Sequence, residues 1–241
     1  QVAGNENEEP AVTHLRHNGN LLIKPDFTTP RTFNVKSRLQ DNINALKVLT
    51  TIKDEVREAT PQEQDILFKY VGFGGIKEIK YDPDTNEKWV ASNENLKPLV
   101  REFKEALKKY DANRYEDNIR FINSSTVNAH YTQIPVIRGM YSILRKAGFK
   151  GGNILEPSAG IGHFIGAMPI DIMEKSKIES VEMDSITGHI LSALYPATRT
   201  NIKGYEKTKI APNSVDLVIS NIPFGDYKVM DLGFLSNKDP R

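Results

Sequence analysis

Two groups of residues in this chain have the types and spacing to act on a planar amino group. The first is Asn221-Ile222-Pro223-Phe224, which follows the apolar run Val215-Asp216-Leu217-Val218-Ile219-Ser220. Such a run has the character of a strand buried on both faces, and its carboxyl end is where a parallel sheet opens its ligand crevice. There Asn221 Oδ1 and the Ile222 carbonyl could accept the two N–H bonds of an amino group while Phe224 stacks on the attached ring. A strand-ending turn would account for Pro223 but not for the whole set.

The second group is Asn153-Ile154-Leu155-Glu156-Pro157-Ser158-Ala159-Gly160-Ile161-Gly162-His163-Phe164. It reads as a strand, a tight turn and the start of a helix, with Gly160 and Gly162 permitting backbone angles and ligand approach that a Cβ would block. The spacing Gly160-x-Gly162-x-x-x-Gly166 is longer than the dinucleotide fingerprint, and no Gly-Lys-Ser/Thr occurs, so a phosphate cradle is poorly supported. Glu156 would repel phosphate but could accept hydrogen bonds from an ammonium group. Further on, Val181-Glu182-Met183-Asp184 ends a second strand and puts an acid where a ribose diol would lie. Glu206 follows a third strand at the same rim and could meet an adenine amino group. Each of these acids could instead be a surface charge or a helix cap.

Helices must position these strands. Leu39, Ile43, Leu46, Leu49, Ile52 and Val56 recur at helical spacing between about Lys36 and Arg57. Thr60-Pro61-Gln62-Glu63 is a capping box with proline in the first turn, opening a helix that runs to near Tyr70. The Val71-Gly72-Phe73-Gly74-Gly75 turn that follows reads as a cap and bend rather than a ligand loop. A third helix spans about Leu96 to Tyr110, and Lys97, Arg101, Lys104 and Lys108 form one stripe along it that could track a phosphate backbone. With Glu102 and Glu105 close by, a solvated face is the plainer account. A helix over Ile134 to Leu144 precedes the first strand, with Thr132 as its expected N-cap and Gly148 closing it. The expected organisation is an extended tail or arm over 1–35, a helical region over 36–125 and an α/β sheet domain over 126–241.

Composition narrows the class. With 39% hydrophobic and 26% charged residues, no long apolar run and no secretory segment, a soluble globular chain is expected rather than a membrane-spanning or disordered one. Zero cysteines exclude disulfides and thiolate metal sites. His14 and His17 are the closest histidines and show no metal-ligand pattern, so no metal is expected. A net charge of +1 means that any nucleic-acid surface must be local.

Taken together, Asn221-Ile222-Pro223-Phe224, Glu156-Pro157-Ser158-Ala159-Gly160-Ile161-Gly162, Val181-Glu182-Met183-Asp184 and His130-Tyr131-Thr132 resemble the N6-adenine DNA methyltransferases, in their gamma-type motif order. From about Leu39 to Asp231 the chain resembles the methylase portion of very large helicase–methylase proteins of bacterial phages and conjugative elements. The resemblance implies a Rossmann-like sheet and S-adenosylmethionine held by Tyr131, Thr132, Glu156, Pro157, Ser158, Gly160 and Gly162. Glu182 and Met183 would then lie at its ribose and Glu206 at its adenine. It implies double-stranded DNA as partner, with an adenine flipped onto Asn221, Ile222, Pro223 and Phe224. The implied setting is the bacterial cytoplasm, with helicase and target-recognition regions further along a longer chain.

That family's sheet has roughly seven strands, and four are found before Arg241. A fragment is therefore expected, its fourth strand an open edge that is weakly stable, covered by the tail or paired in a dimer. Ile222 also stands where many relatives have proline, though its carbonyl survives the change. Two other readings share these residues: a glutamine-N5 protein methyltransferase, whose substrate also presents a planar NH2, and a non-catalytic module that binds cofactor or DNA.

Overall fold

The computed structural model describes residues 14–27, 34–74, 76–80, 83–84, 91–125 and 132–222. Its centre is a parallel sheet of four strands: β3 (Asn153–Glu156), β4 (Lys177–Glu182), β5 (Arg199–Ile202) and β6 (Leu217–Val218). They stand in the order β5-β4-β3-β6, so the chain steps outward from β3 and then crosses back to its other side. The reversal makes β3 the switch point, and the fold is a Rossmann-like α/β sheet with its crevice at the carboxyl ends of β3 and β6.

Helix α8 (Ser185–Leu194) covers β4 and β5, and Gly188 lets it approach closely enough to touch the Ile202 side chain. On its far side α8 meets α1 (Val35–Asp54) and α2 (Pro61–Leu67), and α1 packs along α3 (Lys97–Tyr110), which α4 (Tyr115–Ser125) follows; α7 (Ile170–Met173) leads into β4. Helical unit and sheet thus share one apolar core, from Leu46 and Phe103 through Leu191 to Ile154. The capping box is present in full: Thr60 Oγ1 accepts from the Glu63 amide, and Glu63 accepts from the Thr60 amide. The glycine turn at Gly72 is held by α1, where buried Asn42 donates to the Gly72 carbonyl at 2.7 Å and accepts from the Val71 amide. That is the work of a bend, and it comes several residues after α2 has ended.

Part of the expected arm is packed into the fold. Residues 14–27 contain a hairpin, β1 (Leu15–His17) and β2 (Asn20–Leu22), in which Leu21, Leu22 and Ile23 are buried. Its connections reach every layer. Ile23 donates to the Gly166 carbonyl, Asn20 Oδ1 accepts from the Ala197 amide, and Gln64 of α2 donates to the carbonyls of Gly19 and Ala193. Arg16 and His14 both pair with the buried Asp65 carboxylate. The segment lacks a sustained period because its burial comes from partners 45 and 177 positions away rather than from a repeating face.

The fourth strand also differs from expectation. In the run Val215 to Ser220 only Ile219 is buried, and Val218 is 59% exposed, so the run is not enclosed on both faces. Nothing pairs with the outer side of β6 among the described residues, in keeping with an open edge.

Candidate functional site

The site is built at the carboxyl ends of β3 and β4. Glu156 is the last residue of β3 and only 2% exposed. Burial, and then the nearby Glu182, push its pKa well above the ordinary carboxylate range. Its Oε2 makes no hydrogen bond among the described residues. An unpartnered buried carboxyl oxygen costs free energy in the unliganded protein, and a bound cation could recover that cost.

The turn after Glu156 is tied to β4 through Glu182. Glu182 Oε2 accepts from the Gly160 amide at 2.8 Å, and Oε1 accepts from the Asp184 amide at 2.9 Å. A carboxylate offers about four acceptor positions, so each oxygen keeps capacity for a ligand hydroxyl. Burial raises the Glu182 pKa to about 7, against the opposing pull of the Asp184, Gly160 and Met183 amides. Asp184 has the plainer role of α8 N-cap, accepting from Ile186 and Thr187, and Met183 is exposed.

The glycines divide their labour. Gly160 and Gly162 both take left-handed angles, φ +56° and +82°, as expected of a tight turn. At Gly162, however, a Cβ would collide with the Tyr195 ring and Leu191, and at Gly166 with the Tyr195 hydroxyl and Ile23. These two admit Tyr195 and the hairpin, not a ligand. Only Gly160 turns toward a carboxylate of the site. The helix opened by the turn, α6 (His163–Gly166), is a single turn long.

Thr132 is not an N-cap. Helix α5 (Ile134–Lys146) takes Gln133 in that position with no side-chain capping bond, and Thr132 Oγ1 is buried without a partner. The His163 ring hydrogen-bonds to the Thr132 backbone, which holds the start of α5 beside the glycine turn. Ser220 Oγ is likewise buried and unpartnered, and its neighbour Ile219 donates to the Leu155 carbonyl beside Glu156. Three segments that meet around the end of β3 therefore each leave one polar atom unsatisfied. Sequence reasoning missed Ser220, whose only local signal was a polar residue closing an apolar strand.

Asn221 and Ile222 lie exposed just past β6, with 67% of Ile222 in solvent. Pro223, Phe224 and Tyr131 lie outside the described residues. Glu206 sits in an exposed 3-10 turn, Tyr205–Lys207, at the end of β5, with its carboxylate folded back over Gly204. Pro157 and Ser158 form the turn between Glu156 and Gly160. The α3 stripe lies on the helical unit, where Lys97 pairs with Glu94 at 2.9 Å and Arg101 with Asp84. No helix among the described residues is long and apolar enough to cross a membrane, and no cluster there could hold a metal ion.

The arrangement thus offers a buried acid for a cation, a second acid with free acceptor capacity for hydroxyls, and a hydroxyl at a helix start for a carboxylate. That set fits an amino-acid-bearing nucleoside. Comparisons with known proteins bear on the class. Among solved structures, a Listeria monocytogenes protein assigned to the class I S-adenosylmethionine-dependent methyltransferases aligns over 80% of this chain and 61% of its own, at 14% identity and a TM-score of 0.34. The fold rests on this chain's own strand order. Among curated proteins, the "Defense against restriction protein B" of Escherichia phage P1 is 34% identical over 102 residues, 42% of this chain. The matched stretch is 4% of that protein's length. No family model matches the chain.

Proposed function

We propose that this chain is the catalytic part of an S-adenosylmethionine-dependent methyltransferase acting on the N6 amino group of adenine in DNA. The observation that carries the reading is the unpartnered Glu156 Oε2 beside the Gly160 turn, with Glu182 bound to the same turn and Asn221 just past the adjacent strand. A site with these acids favours a cofactor bearing an ammonium group and a ribose diol over one bearing phosphates. The similarity to a phage protein named for defence against restriction supports a DNA-directed role.

When bound, the cofactor supplies a methyl group on an electrophilic sulfonium. Glu156 would take the ammonium, the Thr132 hydroxyl and the α5 amides the carboxylate, and Glu182 the ribose hydroxyls. Glu206 would reach the adenine of the cofactor only by unfolding from Gly204. On the substrate side, Asn221 Oδ1 and the Ile222 carbonyl would accept the two N6 hydrogens and direct the nitrogen lone pair out of the ring plane. Phe224, next but one in sequence, would stack on the extruded base. Such a displacement needs alignment more than a strong base, consistent with the lack of a His or Lys in the tetrapeptide.

The test is methyl transfer to duplex DNA from labelled cofactor, with the nucleosides identified by mass spectrometry. N6-methyladenine from the wild type, and its loss in Asn221→Ala with cofactor affinity kept within twofold, is the expected result. Label on a glutamine side chain of added protein, with none on DNA, would favour the glutamine-N5 reading. Cofactor binding with no transfer to either would leave a binding module.

A further inference from the structure

We infer that the crossover after β5, Lys203 to Lys209, is the surface that grips the DNA phosphate backbone. The inference rests on the proposed action on DNA and assigns it a contact that differs from the α3 stripe. Lys203, Lys207 and Lys209 surround Tyr205 and Glu206, a net charge of +2 within seven residues. Lys207 and Lys209 are exposed, Lys203 partly so, and no ion pair among the described residues reaches any of the three. Arg199, lower on the same strand, is the last cation before them with a carboxylate in range, Glu179 at 3.8 Å. Tyr205 is 51% exposed between them, so an aromatic ring stands among the cations.

Position supports the same use. The register pairs Glu182 with Ile202, so Lys203 leaves the sheet one step past the acid assigned to the ribose. Leu155 pairs with both Val218 and Glu179, and Glu179 with Arg199. Extending those pairings puts Asn221 level with Ile202, three strand spacings away across the carboxyl rim. That separation is roughly 14 Å, about four base steps along one DNA strand. The lysines and the base-reading tetrapeptide therefore share one rim, and a backbone crossing it could engage both. On α3, by contrast, Lys97 and Arg101 already hold Glu94 and Asp84, and releasing them would cost part of any gain from phosphate.

The experiment is the salt dependence of duplex binding by the whole chain, with S-adenosylmethionine affinity measured in parallel. Each phosphate contact contributes about 0.9 to the slope of log affinity against log salt. Replacing Lys203, Lys207 and Lys209 with Ala should lower that slope by about 2 to 3 units, with cofactor affinity unchanged. Arg at the same three positions should restore it. Lys97→Ala with Arg101→Ala should change it by less than about one unit. A triple variant that binds cofactor normally and keeps the wild-type slope would overturn the assignment of these lysines. A wild-type chain that binds cofactor but shows no salt-dependent DNA binding would overturn the DNA reading itself.

Discussion

The Gly160 amide donates to Glu182 Oε2 at 2.8 Å, so the turn after β3 and the end of β4 form one unit. The carboxylate proposed to hold the ribose also sets the shape of the turn proposed to hold the rest of the cofactor. Removing it should therefore cost both. Glu182→Ala is expected to weaken S-adenosylmethionine binding by about tenfold to a hundredfold, the range of a hydrogen bond to a charged group. Titration calorimetry measures the loss, and a variant that binds within twofold of wild type would contradict the assignment.

The pKa of Glu182, raised to about 7, makes cofactor affinity depend on pH near neutrality. If the ionised form accepts the diol, the competent fraction in the free protein rises about tenfold between pH 6 and pH 8. Glu182 should contribute that factor to the affinity, and Glu182→Gln should remove it while leaving the dependence set by Glu156, whose pKa is also raised. The sign for stability is opposite. The folded protein keeps a proton that the unfolded chain releases near its ordinary value of 4.5, so this group's contribution falls as pH climbs from 4.5 through about 7. Unfolding midpoints of the cofactor-free protein across that window measure the slope.

Thr132 separates function from stability. Its hydroxyl is buried, caps nothing and makes no hydrogen bond among the described residues. Thr132→Val, similar in shape, should leave stability unchanged or raise it by up to about 1 kcal/mol. Cofactor affinity should fall in the same variant. A fall in melting temperature of several degrees would mean that the hydroxyl has a structural partner after all.

Gly162 should behave in the reverse way. Gly162→Ala adds a Cβ at φ +82° against Tyr195 and Leu191, combining left-handed strain of about 1 to 2 kcal/mol with a clash inside packed core. We expect a loss of at least about 3 kcal/mol in chemical denaturation. A loss below about 1 kcal/mol would contradict the packing of Tyr195 and Leu191 against Gly162.

Much of this architecture is local and was legible in the order of residues. Thr60 and Glu63 are three positions apart, so their capping box is settled within one turn of helix. The strand before Glu156 likewise depends on neighbours a few positions away. The residue types at Glu156 and Glu182 pointed to an acid-bearing site rather than a phosphate cradle. What each of those residues touches was decided only by the tertiary structure. Gly162 is filled by a tyrosine 33 positions on, Thr132 is denied its cap by where α5 begins, and the hairpin near Leu21 is held by α2 and α6. Periodicity reports one face of one element. It carries no information about which distant element covers that face, and for that reason β6 reads as enclosed while Val218 lies open.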